Sequence, residues 1–307
     1  MGASPFTQIQ LQYEDIARGG SIIEVIDAIP TRLKTKALPW SAIQIMPIGD
    51  IQMGSPGVDI ERLKRHVKWG VDHGVFWLGM GDYTDFLSPS NRRYLKNAGL
   101  YDTATDLIEE WHRRHLDELK KVLEPTRGMW IGMHEGHHYF EYGDGSTSDT
   151  ELARFLEAPF LGTAAVTRLI FRTGGREKHA VECLIWSHHG EGGGQDPLNR
   201  LLKVAPGFPQ IDIFVQGHNT QIDARPKDNI WFYGGPGELR MRDKTQMFVA
   251  SGGFMRGYQQ GSRHAGRAQG SYVERGMMRP TAVGGPLLTV TPRHRHEYDE
   301  LDIKASV

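Results

Sequence analysis

Short runs of apolar residues recur along the chain, and each is followed by polar residues. Five such runs lie at residues 42–48, 75–80, 129–133, 181–186 and 211–216. Runs of this length, bounded by glycine or polar residues, are typical of buried β-strands. Two later runs, at 247–251 and 287–291, predict further strands.

Segments with a helical period separate several of these runs. Asp59 precedes a segment whose apolar residues recur at helical spacing as far as Gly74, which predicts a helix with Asp59 as its N-cap. A second helical stripe occupies residues 103–123. Further helices are predicted after an N-cap at Ser148 or Asp149, from Asp196 to about Val204, and at residues 21–28 before Pro30.

The alternation of strands and helices predicts the α/β class. In sheets of this class, ligands bind at the carboxyl ends of the strands, which is where the polar residues fall. The 307 residues suffice for one large domain, and neither a linker nor an internal repeat is visible. We expect a single domain over residues 39–307, preceded by an N-terminal extension at 1–38.

Composition narrows the functional classes only modestly. A net charge of −1 gives no overall field that would attract nucleic acid or a membrane. Cys183 is the only cysteine, which excludes an intramolecular disulfide and a cysteine-rich zinc site. No apolar run approaches the ~18 residues of a membrane span, and no secretory signal is visible. We therefore expect a cytoplasmic protein without a membrane partner.

The polar residues after the five runs carry metal-binding chemistry. They are Asp50 with Gln52, Asp82, His134 with Glu135, His188 with His189, and His218. Carboxylate and imidazole ligands together suit manganese, iron, zinc and similar divalent ions. A carboxylate shared by two ions builds the two-metal clamp that serves phosphoryl transfer.

Residues 134–138 also match the His-Glu-x-x-His pattern of zinc proteases. That pattern requires a helix that places His134 and His138 one turn apart on a shared metal. Gly136 costs about 1 kcal/mol inside a helix, and no helical apolar period passes through this segment. The segment fits the end of a strand followed by a loop better, so the protease remains the weakest alternative.

The ordered motifs resemble those of the calcineurin-like metallophosphoesterase family. They are Gly-Asp-x-Gln at 49–52, Gly-Asp at 81–82, Gly-Met-His-Glu at 132–135, His-Gly at 189–190 and Gly-His-x-Thr at 217–220. That family carries Asp-x-His, Gly-Asp, Gly-Asn-His, His and Gly-His-x-His in the same order. The resemblance covers residues 40–292, and the segments at 251–258, 270–275 and 279–288 resemble phage-type members. It implies a four-layer sandwich of two central β-sheets flanked by helices.

The resemblance also implies the roles of the site residues. His134 would be the catalytic histidine, and Asp82 would bridge two ions of manganese, iron, zinc or nickel. The substrate would be a phosphoester, with nucleotides and nucleic acids among the candidates, attacked by a metal-bound hydroxide in the manner of a phosphodiesterase or nuclease. The implied metal ligands are Asp50, Gln52, Asp82, His189 and His218.

Three positions depart from the family pattern. Gln52 and Thr220 stand where the family has histidines, and Met133 replaces an asparagine. A thioether is a poor ligand for a hard cation. A one-metal enzyme, or a non-catalytic module that binds a nucleotide, nucleic acid or protein, therefore stays open, as does the oligomeric state. Residues that could replace the missing ligands are Asn219, Gln221, His137, His138 and His188.

Overall fold

The computed structural model describes residues 22–27, 38–55, 57–86, 88–99, 101–173, 179–192, 194–258, 263–264, 267–268, 272–275, 277, 279–295 and 298–307. The strands are β1 (Ile22–Asp27), β2 (Leu38–Pro39), β3 (Ile43–Ile48), β4 (Phe76–Gly79), β5 (Trp130–His134), β6 (Phe160–Gly162), β7 (Ala164–Arg172), β8 (Ala180–His188), β9 (Ile213–Gln216), β10 (Ile222–Tyr233), β11 (Arg240–Ser251), β12 (Arg263–His264), β13 (Arg267–Ala268), β14 (Leu287–Arg295) and β15 (Tyr298–Ser306). The helices are α1 (Ile60–Asp72), α2 (Pro89–Asn97), α3 (Asp102–Leu123), α4 (Ser148–Phe155), α5 (Asn199–Val204) and α6 (Tyr272–Arg275), with 3₁₀ turns at Glu124–Thr126 and Ala205–Gly207.

Two large sheets carry the fold. One has the order β15-β14-β3-β4-β5-β6, and the other has the order β1-β7-β8-β9-β11-β10 with β2 beside β7. Strands β3 to β6 are parallel to one another, as are β8, β9 and β11. Within each parallel set, the carboxyl ends lie at one edge of the sheet, so the polar residues that follow them gather there.

Side-chain alternation along the strands builds an apolar layer on each face of the six-stranded sheet. In β3, Ile45 packs between the two sheets with residues such as Ile185 and Val215 of the seven-stranded sheet. Its neighbour Met46 points the other way and packs with α1 and α3. Because a strand has a period of two, adjacent buried residues in one strand serve different layers.

Helices cover the outer faces of both sheets. The outer face of the six-stranded sheet packs on buried residues of α1, α3 and α4, including Leu63, Leu119 and Leu152. On the far side of the seven-stranded sheet, Leu201 of α5 packs with Phe214 and others. The arrangement is therefore helix, sheet, sheet, helix, and the predicted four-layer sandwich with two central sheets is confirmed.

The helix predictions succeed where periodicity is long. α1 begins after Asp59, whose Oδ1 accepts a hydrogen bond from the backbone of Arg62 at 2.9 Å, and α3 agrees with the predicted stripe. In α4 the predicted N-cap, Ser148 or Asp149, is wrong, because Thr147 is the N-cap and the helix begins at Ser148. In α5, Asp196 accepts from the backbone of Leu198, but the helix itself begins at Asn199.

The helix predicted at residues 21–28 is wrong. Residues 22–27 form strand β1, which pairs antiparallel with β7. Its apolar residues at 22, 23, 25 and 26 fit either period over so short a segment, so the edge available at β7 decides between them. Among the described residues, no helix combines the length and apolar character needed to cross a membrane.

Candidate metal centre

Two carboxylates leave neighbouring strands side by side. β3 and β4 are parallel and pair Ile48 with Gly79, so the residues after them emerge at the same edge. The backbone N–H of Asp50 donates to the carbonyl of Gly81 at 3.0 Å, and that of Gln52 donates to the carbonyl of Asp82 at 3.0 Å. Both carboxylates are buried, each with a relative exposure of 2%.

The backbone at this edge is strained. Asp50, Gln52, Asp82 and His218 have φ angles of +46°, +56°, +53° and +62°. Non-glycine residues rarely adopt this region, and each such residue costs about 1–3 kcal/mol. Three other described non-glycine residues share it, so strain is concentrated at the predicted ligands. The backbone hydrogen bonds of Asp50 and Gln52 to the residues after β4 help to hold this conformation.

The loop after β5 lies directly over Asp82. A Cβ atom at Gly136 would overlap the backbone nitrogen of Asp82, so only glycine permits this approach. The backbone N–H groups of His137 and His138 both donate to Asp82 Oδ1, the second at 3.0 Å. Gln52 adds a bond from Nε2 to Asp82 Oδ2 at 3.3 Å.

Three histidines from different strand ends meet beside these carboxylates. The ring nitrogens of His137, His189 and His218 all lie within 4.8 Å of one another. His137 Nδ1 is 3.2 Å from His218 Nδ1, and His189 Nε2 is 3.4 Å from Asp82 Oδ1. His189 is oriented by its Nδ1, which contacts the carbonyl of Met80 at 2.6 Å.

The charge pattern suits a cation. Burial and the carboxylate of Asp82 raise the pKa of Asp50 to about 7. Burial opposes ionisation of Asp82, but the contact with His189 outweighs it and lowers the pKa of this carboxyl. Burial also disfavours the imidazolium of His189, yet the same contact raises the pKa of this ring to about 9. A bound cation would displace these protons.

The hydrogen bonding of the buried side-chain atoms indicates whether these residues suit a metal ion. Asp50 Oδ2 and His189 Nε2 are buried and make no hydrogen bond within the described part of the chain. A buried polar atom without a partner costs about 1–3 kcal/mol. Carboxylate and imidazole are the donor types that manganese, iron, nickel and zinc accept. The residues therefore fit a divalent transition-metal ion.

His134 is not part of the group formed by His137, His189 and His218. It is fully buried at the end of β5, its Nδ1 contacts the carbonyl of Gly162 at 3.0 Å, and its Nε2 contacts Ser187 Oγ at 2.7 Å. Burial lowers the pKa of this ring to about 3. Because residues 130–134 form a strand, the helix that a His-Glu-x-x-His protease needs is absent, which removes that alternative. The catalytic role of His134 stays a prediction.

The sequence interpretation offered the next two histidines only as possible substitute ligands. His137 belongs to the histidine cluster, and His138 Nδ1 lies 3.3 Å from Asp85 Oδ1. Burial disfavours the charged ring of His138, but Asp85 and Asp82 outweigh this and raise its pKa. The sequence did contain a signal, because residues 136–138 repeat the Gly-x-His spacing of residues 132–134.

No family model matches this chain, and no curated protein matches it. Among solved structures, Vps29 of Chaetomium thermophilum is similar, with 12% identity, coverage of 87% of this chain and 96% of that chain, and a TM-score of 0.32. The calcineurin-like phosphoesterase YfkN of Bacillus subtilis has 10% identity, 87% and 90% coverage, and a TM-score of 0.36. GAP50 of Plasmodium has 11% identity, 86% and 90% coverage, and a TM-score of 0.41. At these TM-scores we draw no conclusion about activity from the similarities.

The loop after β5, residues 135–139, is called the histidine loop. Two residues that the sequence interpretation did not assign to the site support it. Asp149 Oδ2 accepts a hydrogen bond from the backbone of Gly136 at 2.8 Å. Arg92 donates to the carbonyls of His137 and Tyr139 at 2.8 and 3.0 Å, and its guanidinium lies 3.9 Å from the centroid of the Tyr139 ring. Together with Asp82, they fix the loop from both sides.

The other candidate substitutes have different surroundings. His188 Nδ1 accepts from the backbone of Gly190 at 2.6 Å, and Asn219 Oδ1 accepts from the backbone of Gln221 at 3.2 Å. These contacts stabilise turns. Met133 is fully buried in the apolar layer beneath the helices. Of the five substitutes proposed from sequence, His137 is the one that the fold brings into the histidine cluster.

Metal affinity is expected to rise between about pH 6 and 9. Asp50 and His189 have raised pKa values, and a cation binds their deprotonated forms. Each proton displaced contributes up to about a tenfold gain in affinity per pH unit. Manganese titrations by calorimetry at several pH values would measure the slope, and His189→Gln should make it shallower. A pH-independent affinity would contradict this assignment.

Proposed function

We propose that this chain is a metal-dependent phosphoester hydrolase. The observation that carries the proposal is the convergence of Asp50, Asp82 and three histidines at the carboxyl ends of parallel strands from both sheets, where the buried Asp50 Oδ2 makes no hydrogen bond within the described part of the chain. Buried polar atoms usually have hydrogen-bond partners, and Asp50 Oδ2 has none among the described residues. His189 Nε2 contacts Asp82 Oδ1 at 3.4 Å, so both atoms face the position that a cation would take.

The same side chains would hold the metal. When bound, divalent ions would neutralise charge on a phosphoryl group and lower the pKa of a water molecule. We assign Asp82 as the shared ligand because it lies between Gln52, the histidine loop and His189. Manganese, iron, zinc and nickel all remain candidates, as one ion or two. The full set of proposed ligands is Asp50, Gln52, Asp82, His137, His189 and His218.

We propose His138, rather than His134, as the proton donor to the leaving oxygen. His138 is partly exposed, and the carboxylates of Asp85, at 3.3 Å, and Asp82 raise the pKa of its ring, which favours the protonated form. A general acid must hold a proton and reach the substrate. Both ring nitrogens of His134 are already engaged inside the sandwich, which suits a residue that joins β5 to the seven-stranded sheet.

A non-catalytic binding module is the second candidate. It is favoured by the amide of Gln52, whose Nε2 donates to Asp82. That orientation turns the amide nitrogen, rather than the oxygen, toward the carboxylate. An amide binds a cation through its oxygen, so a bound cation would require the amide of Gln52 to rotate. A module of this kind would retain the pocket and bind a nucleotide without hydrolysing it.

Hydrolysis of chromogenic phosphoesters would test the proposal. The protein, loaded in turn with manganese, iron, nickel or zinc, would be assayed with bis(p-nitrophenyl) phosphate and p-nitrophenyl phosphate. We expect metal-dependent turnover that a chelator abolishes, with the diester preferred. Tight metal binding without turnover of either substrate would support the binding module. Absence of metal binding would overturn the proposal.

A further inference from the structure

A second group of potential ligands lies far from the metal centre. It consists of His179, His294 and Asp299, whose ligand atoms all lie within 4.8 Å of one another. His179 immediately precedes β8, whose last residue is His188. At ~3.3 Å per residue, the nine residues of this strand place the two groups about 30 Å apart, at opposite ends of the sandwich.

Both histidines point at the same carboxylate oxygen. His179 Nδ1 lies 3.2 Å and His294 Nδ1 lies 2.9 Å from Asp299 Oδ1. The two imidazole rings have centroids 4.2 Å apart. Ligands about 2.1 Å from a tetrahedral zinc ion are roughly 3.4 Å from one another. The two distances to Asp299 are already close to this value. A small rotation of a partly exposed ring would adjust the third distance, between the ligand atoms of His179 and His294.

The two arginines nearest to this group on the same hairpin pair with other carboxylates. On the same hairpin, Arg293 pairs with Asp302 at 2.6 Å and Arg295 pairs with Glu300 at 2.5 Å. Among the described residues, the ion-pair partners of Asp299 are the two imidazoles. One imidazole is enough to hydrogen-bond one carboxylate oxygen. A carboxylate oxygen can accept a second hydrogen bond, and a cation shared by the three side chains would hold the same atoms together.

Backbone hydrogen bonds fix the positions of these three residues without a bound ion. His294 and Asp299 are directly paired across the antiparallel hairpin of β14 and β15. The backbone N–H of His179 donates to Thr173 Oγ1 at 2.9 Å. His179 leads into the seven-stranded sheet, whereas the other two residues belong to the six-stranded sheet. An ion bound by all three would link the two sheets at this end.

We propose that His179, His294 and Asp299 form a second metal site, separate from the phosphoesterase centre, that binds Zn²⁺ or a similar transition-metal ion. Two imidazoles and one carboxylate favour such ions over magnesium or calcium. The side chain of His294 is 49% exposed, which leaves room for a water molecule as the fourth ligand. Its role would be to clamp the two sheets together, and it does not depend on the proposed hydrolase activity.

Zinc stoichiometry in matched variants would test the second site. His294→Ala and Asp299→Asn are compared with the wild type and with His73→Ala, which removes an exposed histidine stacked on Trp69. Each full-length protein is titrated with zinc by calorimetry, then desalted for elemental analysis. We expect both site variants to bind about one zinc fewer per chain than the wild type and the control.

The comparison separates this site from the metal centre, because every variant retains the centre. Equal zinc stoichiometry and affinity in all four proteins would overturn the proposal. Circular dichroism would verify folding. If His294→Ala disturbs the hairpin, Asp299→Asn, which preserves side-chain volume, decides the outcome.

Discussion

Replacing Asp82 with alanine is expected to abolish tight metal binding and to reduce metal-dependent hydrolysis by more than about 100-fold. Loss of a group that merely supports a metal ligand costs about 10–100-fold in affinity or activity. Asp82 is proposed as a direct and shared ligand, so its removal should exceed that range. Its carboxylate also accepts bonds from the histidine loop and from Gln52, so the loop should lose its anchor as well.

The measurement combines metal content with turnover of bis(p-nitrophenyl) phosphate. Asp82→Asn is the informative companion, because it keeps the shape and one acceptor oxygen while removing the charge. Asp72→Ala, at an exposed helix position paired with Lys68, serves as a control that should behave like the wild type. Full metal-dependent turnover by Asp82→Ala would contradict the hydrolase proposal.

Exchanging the two candidate histidines for glutamine should produce opposite results. His138→Gln is expected to lower kcat by about 10²–10⁴-fold, the usual contribution of a general acid, while metal binding is retained. His134→Gln should leave kcat near that of the wild type and instead reduce the free energy of unfolding by about 1–3 kcal/mol. This loss follows because the buried Ser187 and Gly162 groups lose their partner.

The choice of leaving group makes this comparison specific. A substrate with a poor leaving group needs protonation of the leaving oxygen, so the defect of His138→Gln should be larger with an alkyl ester than with a nitrophenyl ester. A merely structural defect would affect both substrates equally. If His134→Gln loses turnover and His138→Gln does not, the assignment made from sequence was the correct one.

Much of the site could be located from sequence because its residues follow buried strands. The apolar runs before Asp50, Asp82 and His218 predict strands, and parallel strands must bring their carboxyl ends to one edge. This local rule works without knowledge of the loops. It failed for residues 22–27, where six residues fit both a helix and a strand, and the available edge of β7 selected the strand.

The choice between His134 and the pair at 137–138 required the folded chain. His134 and His138 each end a Gly-x-His triplet, and the sequence interpretation favoured His134 because the order of the five motifs supports it. The fold turns His134 inward onto Ser187. It carries the next loop across Asp82, which is possible because Gly136 has no side chain and Asp149 holds its backbone.

The sequence by itself determined that the candidate ligands follow buried strands. It also determined which donor atoms these residues carry and which metal chemistry those atoms favour. Those properties depend on short-range periodicity and on side-chain identity. Only the tertiary structure decided which histidines meet Asp82 and which pair with Asp299. Distances between residues far apart in sequence depend on how loops cross and how two sheets pack, and neither a period nor a motif specifies that.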